Sequence, residues 1–148
     1  MVTIRKATEK DIPRLRELYQ QLSFNPGDYR KTPVADCKRV LKEMHKYPNY
    51  HLLAAEENGE AAGTLFMAIL PGMAHGTSPF AVVEYMVVDE KQRSRGIGKA
   101  LMEYCKDLAK KAGCYKIMFT SDNRRERAHK FYKSVGFEAS AEGFRLYF

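Results

Sequence analysis

Hydrophobic and polar positions change period several times along the chain, and each change predicts an element. Residues 2 to 7, Val-Thr-Ile-Arg-Lys-Ala, alternate with period two and predict a short strand. Thr8 then offers an N-cap, with Asp11 three residues on, and Ile12, Leu15, Leu18, Tyr19 and Leu22 mark one face of a first helix. Residues 23 to 31, with Asn25-Pro26-Gly27-Asp28, form a loop. Thr32 followed by Pro33 restarts a helix whose apolar face is Cys37, Val40, Leu41 and Met44. Residues 50 to 56 and 60 to 70 predict a second and a third strand, joined by Asn58-Gly59, a strong type I′ hairpin signal. A loop, residues 71 to 79, carries His75. Residues 80 to 88 are a nearly continuous apolar run interrupted by Glu84, which predicts a fourth strand buried on both faces.

The second half continues in the same way. Ile97, Leu101, Tyr104, Cys105, Leu108 and Ala112 recur at steps of three and four, a helix over residues 97 to 112 with Gly113 as its stop. Residues 115 to 120 predict a fifth strand. Ser121-Asp122-Asn123 caps a last helix over residues 124 to 135, and Gly136 ends it. Residues 137 to 139 and 144 to 148 predict two short final strands, a hairpin around Glu142-Gly143. The order βααβββαβαββ describes a single α/β (α+β) domain with a mixed sheet.

The chain of 148 residues is long enough for one domain with a full core, and its composition, 45% hydrophobic and 29% charged, is that of a globular protein. No apolar run approaches the roughly 20 residues needed to span a bilayer. Residues 1 to 5 lack the apolar region of a secretion signal, so the expected location is cytoplasmic, away from membranes. Cys37, Cys105 and Cys114 have no metal-ligand spacing and are expected to be buried free thiols. The net charge is +7, unevenly spread. Residues 1–75 hold 11 Lys/Arg against 9 Asp/Glu, and residues 76–148 hold 14 against 9. A polyanionic small molecule accounts for that excess as well as a nucleic acid does, and no zinc-finger spacing or RNP-like motif supports nucleic acid.

The half with the larger excess holds Arg93-Ser94-Arg95-Gly96-Ile97-Gly98-Lys99-Ala100, between the fourth strand and the helix. Amides at a helix start lack intrahelical partners, the helix dipole favours negative charge there, and glycines let a ligand approach the backbone. The stretch therefore predicts a phosphate or diphosphate site. A P-loop needs Ser or Thr after its Lys, and here Ala100 follows Lys99. A dinucleotide fingerprint needs a third glycine where Leu101 stands.

Arg93-Ser94-Arg95-Gly96-Ile97-Gly98 resembles the acetyl-CoA signature Gln/Arg-x-x-Gly-x-Gly/Ala of the GNAT (Gcn5-related N-acetyltransferase) superfamily. Ala128-His129-Lys130-Phe131-Tyr132-Lys133-Ser134-Val135-Gly136-Phe137 is similar to that family's C-terminal Ala-x-x-hydrophobic-Tyr-x-x-x-Gly-Phe. The resemblance implies a mixed, mostly antiparallel sheet splayed between its fourth and fifth strands, with about four helices. It implies direct transfer of acetyl from acetyl-CoA, with no metal, to an amine in a ternary complex. Amides of residues 95 to 100 would cradle the diphosphate, with Arg93, Arg95 and Lys99 adding charge. Met86, Val87 and Val88 would bond pantetheine beside a bulge, where an amide near residues 85 to 87 would hold the thioester oxygen. Glu84, taken as poorly solvated among Val82, Val83 and Met86, would be a general base or relay; the alternatives are that it binds the substrate ammonium or pairs with a lysine. Tyr132 matches the tyrosine that donates to the leaving thiolate; otherwise it is a core residue beside Phe131. Where many members carry an Asn that bonds pantetheine, this chain has Arg125, with Asn123 two residues earlier, and either could serve. His129 reads as a helix-surface residue.

The acceptor is a small-molecule primary amine in the first reading. The alternatives are a protein N-terminal or lysine acceptor, or a non-catalytic acetyl-CoA-binding module. Phe24, Tyr29, His75 and Tyr147 are candidates to face the acceptor. Gly113-Cys114-Tyr115-Lys116 with Glu84 is similar to glucosamine-phosphate acetyltransferases of the superfamily. A homodimer is common among such proteins.

Overall fold

A computed structural model describes residues 1–25 and 30–148. They divide into two compact units, Met1–Met118 and Phe119–Phe148.

The first unit holds a five-stranded sheet in the order β1-β2-β3-β4-β5. Its strands are β1 (Thr3–Lys6), β2 (Tyr50–Glu57), β3 (Glu60–Leu70), β4 (Phe80–Val88) and β5 (Ile117–Met118), and its helices are α1 (Ile12–Gln20), α2 (Val34–His45), α3 (Ala74–Thr77) and α4 (Ile97–Lys111). The first four strands pair antiparallel and β5 pairs parallel with β4. Asn58 and Gly59 both have positive φ, 54° and 79°, the type I′ geometry that their sequence predicts. Ala7, Leu15, Leu18, Ala54, Ala61 and Val87 form a core cluster that joins α1 to the sheet. Arg5 grips Asp11 with two bonds, 2.8 and 2.9 Å, and Glu56 with a third at 2.6 Å, while Thr8 N–H donates to Asp11 at 2.7 Å. The turn into α1 is thereby tied to β1 and β2.

α4 packs against β3 through Gly63. A Cβ at Gly63 would stand 3.1 Å from the Val87 carbonyl and 3.2 Å from Ile97 Cγ2, so the helix is seated where only a hydrogen fits. Ile97, Leu101, Met102, Cys105 and Ala109 are buried. Tyr104, expected on that face, is 38% exposed. Its step from Leu101 rotates it to the rim of the stripe.

The fifth strand is shorter than the sequence suggests. Only Ile117 and Met118 pair, with Ala81 and Val82, although the apolar alternation runs further. β4 therefore leaves the β5 ladder after Val82, the expected splay. α2 buries only Leu41 along its length. α3 is a brief turn in which His75, Gly76 and Thr77 all have positive φ, an addition to the four expected helices.

The second unit contains α5 (Glu126–Ser134). Asp122 Oδ1 accepts from the Arg124 N–H and guanidinium, both at 2.9 Å, and holds the turn before the helix. Phe119 packs edge-on against Tyr132 and Phe137, with ring centroids at 4.6 and 5.0 Å. The predicted final hairpin is absent: residues 137–148 form no strand. Phe144, Leu146, Tyr147 and Phe148 are 77% to 116% exposed, so apolar alternation there does not correspond to a buried face.

Candidate active site

The site grows from a defect in β4. Thr64 pairs with Val87 and Phe66 with Glu84, so one residue of β3, Leu65, faces two of β4, Tyr85 and Met86. This is a β-bulge, where the sequence reading expects one. Tyr85 carries it with φ at 54°, left-handed backbone that an L side chain adopts at a cost of about 1–2 kcal/mol. The extra residue of a bulge stands outside the regular ladder. The Tyr85 ring meets Tyr19 of α1 edge-on at 6.1 Å, which braces the bulge from the helix side.

Glu84 lies immediately before the bulge and is exposed. The expectation of a poorly solvated carboxylate is therefore corrected: the pleat turns Glu84 to solvent while Val83 and Val87 go to the core. Met86 and Val88 are half-buried and Val87 is buried. The Val88 carbonyl already accepts from Arg93 Nε at 3.2 Å, which draws that arginine back over the end of β4.

Past β4, a 3-10 turn (Glu90–Gln92) leads into the glycine stretch. Ser94 and Gly96 have positive φ, 63° and 83°. Gly96 is the N-cap of α4 and has no side chain to cap the first turn. A Cβ there would meet nothing within 4 Å, so glycine is required by conformation rather than by crowding. The first intrahelical bond runs from Ala100 N–H to the Gly96 carbonyl at 3.0 Å. The amides of Ile97, Gly98 and Lys99 precede it and lack partners within the helix. Arg93, Ser94, Arg95 and Lys99 are exposed around them, with Gly98 and Ala100 half-buried. Arg95 Nη2 lies 3.7 Å from Glu57 Oε1, and the other Glu57 oxygen is buried without a hydrogen-bond partner. The uncapped start of this 15-residue helix, with three cationic residues close to it in sequence, has the chemistry to hold a diphosphate.

In the second unit Tyr132 is half-buried between Phe119 and Phe131. Burial pushes its phenol above the usual range, against a smaller opposing effect of Arg125, so the hydroxyl holds its proton through neutral pH. Asn123 is exposed and Arg125 is half-buried as the N-cap of α5. His129 Nε2 lies 3.2 Å from Ser121 Oγ. Tyr147 is exposed, and its hydroxyl accepts from Arg145 at 2.9 Å.

Of the acceptor candidates, Phe24 is exposed and Tyr29 lies outside the described residues. His75 stacks on Tyr115 at 4.1 Å beside Phe80, at the far end of β4 from the bulge. Phe80 and Glu84 are four strand residues apart, about 13 Å. The cysteines differ from expectation in burial: all three are free, but only Cys105 is buried, its thiol pushed up to about 12 by desolvation, while Cys37 and Cys114 are partly open.

Sequence reasoning missed the residues that hold these parts in place. Gly63, Tyr19 and the buried Asp89 carry no motif of their own; each acts through a contact distant in sequence.

Comparisons with known proteins place the chain in a family. The model of the Acetyltransferase (GNAT) family matches residues 12–137. The chain is 31% identical over 146 residues to the glucosamine 6-phosphate N-acetyltransferase of Trypanosoma brucei brucei, covering 97% of this chain and 93% of that one. It is 26% identical over 137 residues to the aminoalkylphosphonate N-acetyltransferase of Salmonella typhimurium, covering 93% and 85%. Among solved structures, an inferred acetyltransferase from Agrobacterium tumefaciens str. C58 superposes with a TM-score of 0.90 at 31% identity, over 98% of this chain and 99% of that one.

Proposed function

Because the chain belongs to the GNAT family of acetyl-CoA-dependent acetyltransferases, we propose that it acetylates the primary amine of a small molecule bearing a phosphate or phosphonate. The observation that carries the donor half is the bulge at Tyr85 followed within one connector by the uncapped start of α4. The acceptor half rests on the two named relatives, whose substrates each join an amine to a phosphate or phosphonate. The net charge of +7 favours such an anion. The family match runs through both compact units, which supports one functional domain.

The amides of residues 97 to 99 receive the diphosphate of acetyl-CoA, with Arg93, Arg95 and Lys99 supplying charge and Asn123 or Arg125 a further contact. Met86, Val87 and Val88 offer main-chain bonds to pantetheine. Glu84, directly or through water, takes a proton from the acceptor ammonium, whose pKa of about 10 otherwise keeps the nitrogen unreactive. The amine forms its bond to the thioester carbon, and an amide freed by the bulge holds the oxyanion. The carbon–sulfur bond breaks and Tyr132 gives its proton to the departing thiolate, while the second proton that the nitrogen sheds on becoming an amide passes to solvent, from which the Tyr132 phenolate is reprotonated. The exposure of Glu84 suits exchange of that proton with solvent.

A screen of small amines and peptides with detection of released thiol tests the reading. Turnover on phosphorylated or phosphonylated amines, with peptides at background, is the expected result. Turnover confined to peptides would replace this acceptor class with a protein one. Acetyl-CoA binding without turnover on either would leave a binding module.

A further inference from the structure

Asp89, the residue after β4, is 5% exposed and is held from several sides. Its N–H extends the sheet ladder to the Ala62 carbonyl at 2.9 Å. Its carboxylate accepts from Arg14 Nη2, from Lys91 N–H at 3.1 Å and from Gln21 Nε2 at 3.4 Å. Gln21 also accepts, through Oε1, from the Glu90 N–H at 2.9 Å. Arg14 Nε donates to the Ala61 carbonyl at 3.1 Å. Arg14, in the first turn of α1, and Gln21, the residue that follows the helix, are seven residues apart, about two turns along one face. That face therefore grips both the start of β3 and the connector that carries the glycine stretch.

This grip has a cost that simple stability would not require. Removing a carboxylate and a guanidinium from water is expensive, and an apolar pair would fill the same space more cheaply. What a charged pair supplies is a fixed register, since only one arrangement satisfies all its donors. The connector needs that register: it leaves β4 at Asp89, turns through Glu90–Gln92, and must deliver left-handed Ser94 and Gly96 to the start of α4. Tyr19, between Arg14 and Gln21 in sequence, touches the bulge residue Tyr85, so α1 reaches both ends of the donor-binding backbone.

We infer that Arg14 and Gln21 are positioning residues for acetyl-CoA, fixing through Asp89 and Glu90 the connector that places the anion-binding amides of α4. The inference rests on the reading that residues 93–100 hold the diphosphate. Gln21 and Arg14 are both half-buried, and neither is offered as a contact to donor or acceptor.

The test compares the protein with its Gln21→Leu, Arg14→Lys and Gly98→Glu variants. For Gln21→Leu, the Kd for CoA by calorimetry and the KM for acetyl-CoA are expected to rise about fivefold. The amine KM should stay within about twofold and amide hydrogen exchange over residues 90 to 98 of the free protein should quicken. Arg14→Lys, which keeps the charge but loses the fork, should show the same pattern to a smaller degree. A folded Gln21→Leu protein with wild-type Kd for CoA overturns the inference. So does one whose donor and acceptor constants worsen together in proportion to lost stability, the mark of a merely structural role. Gly98→Glu separates this failure from failure of the site itself. If it abolishes CoA binding while Gln21→Leu does nothing, the clamp is wrong and the anion site stands. If Gly98→Glu also binds CoA normally, the placement of the diphosphate falls and the clamp with it.

Discussion

Glu84 and Tyr132 divide the proton traffic of the proposed reaction, and their surroundings differ as the two tasks require. Tyr132 is desolvated and keeps its proton at neutral pH, so its hydroxyl stands as a hydrogen-bond donor to the leaving thiolate and as the source of the proton that sulfur takes up. Tyr132→Phe is expected to lower kcat by about 10- to 100-fold while the Kd for acetyl-CoA stays within about twofold; an unchanged kcat, measured at saturating amine, would remove the donor role. Glu84 stands in water beside the bulge, where it can pass a proton on. Glu84→Gln should lower kcat/KM by about 100-fold at pH 7. Part of the loss should return as pH approaches the amine's own pKa, because more acceptor then arrives deprotonated. A pH profile of kcat/KM for the two proteins checks this: parallel profiles would assign Glu84 to substrate binding instead.

Elements carry the site through two irregularities, the bulge of β4 and the tight seat of α4 on Gly63. Gly63→Ala would push a methyl against the Val87 carbonyl and Ile97 at once. Overpacking of this kind costs about 1–3 kcal/mol, to be read from urea unfolding. Because those neighbours belong to the bulged strand and to the first turn of α4, donor affinity should fall as well. Regular periodicity made most elements legible. The Asn58-Gly59 turn, the α4 stripe and the glycine stretch each depend on neighbours in sequence and stand where local rules put them. Glu84's exposure was not legible, because the nearly continuous apolar run over residues 80 to 88 does not reveal which face of the strand is open to solvent. Nor was the short β5, since apolar alternation over residues 115 to 120 does not reveal that pairing with β4 stops at Val82. The terminal hairpin failed for a related reason: Phe144, Leu146 and Tyr147 look like strand residues, yet a strand needs a partner as well as a pattern. The family resemblance supplied the bulge and Tyr132; Arg14, Gln21 and Asp89 needed the three-dimensional arrangement.

At the scale of the whole molecule, two carboxylates tie α1 to the sheet, and both are held below the usual carboxylate range. For Asp11 the bonds from Arg5 are the largest cause and outweigh burial. For Asp89 burial acts upward, but the bonds from Lys91 N–H, Arg14 and Gln21 prevail. Groups whose folded pKa is depressed stabilise the protein above the unfolded value, near 4, and that stability is lost as pH falls through the folded value. Unfolding free energy should therefore show little dependence on these groups from pH 7 to about 5, and should drop below about pH 4. Asp11→Asn is expected to cost about 1–3 kcal/mol at pH 7, by urea titration, and to flatten the acid limb. A variant as stable as the parent, with an unchanged acid limb, would show that the Arg5 network contributes nothing net. No described helix is long and apolar enough to cross a membrane.

The central claim concerns what receives the acetyl group, and one ratio tests it most directly: kcat/KM for glucosamine 6-phosphate over that for glucosamine, with thiol release monitored at saturating acetyl-CoA. The two acceptors share their amine and differ by the phosphate. A site built for an anionic amine predicts a ratio of at least about 100, since a charge-assisted phosphate contact is worth about 1.5–3 kcal/mol and more than one is expected. A ratio near one with measurable turnover on both would contradict a phosphate- or phosphonate-bearing acceptor.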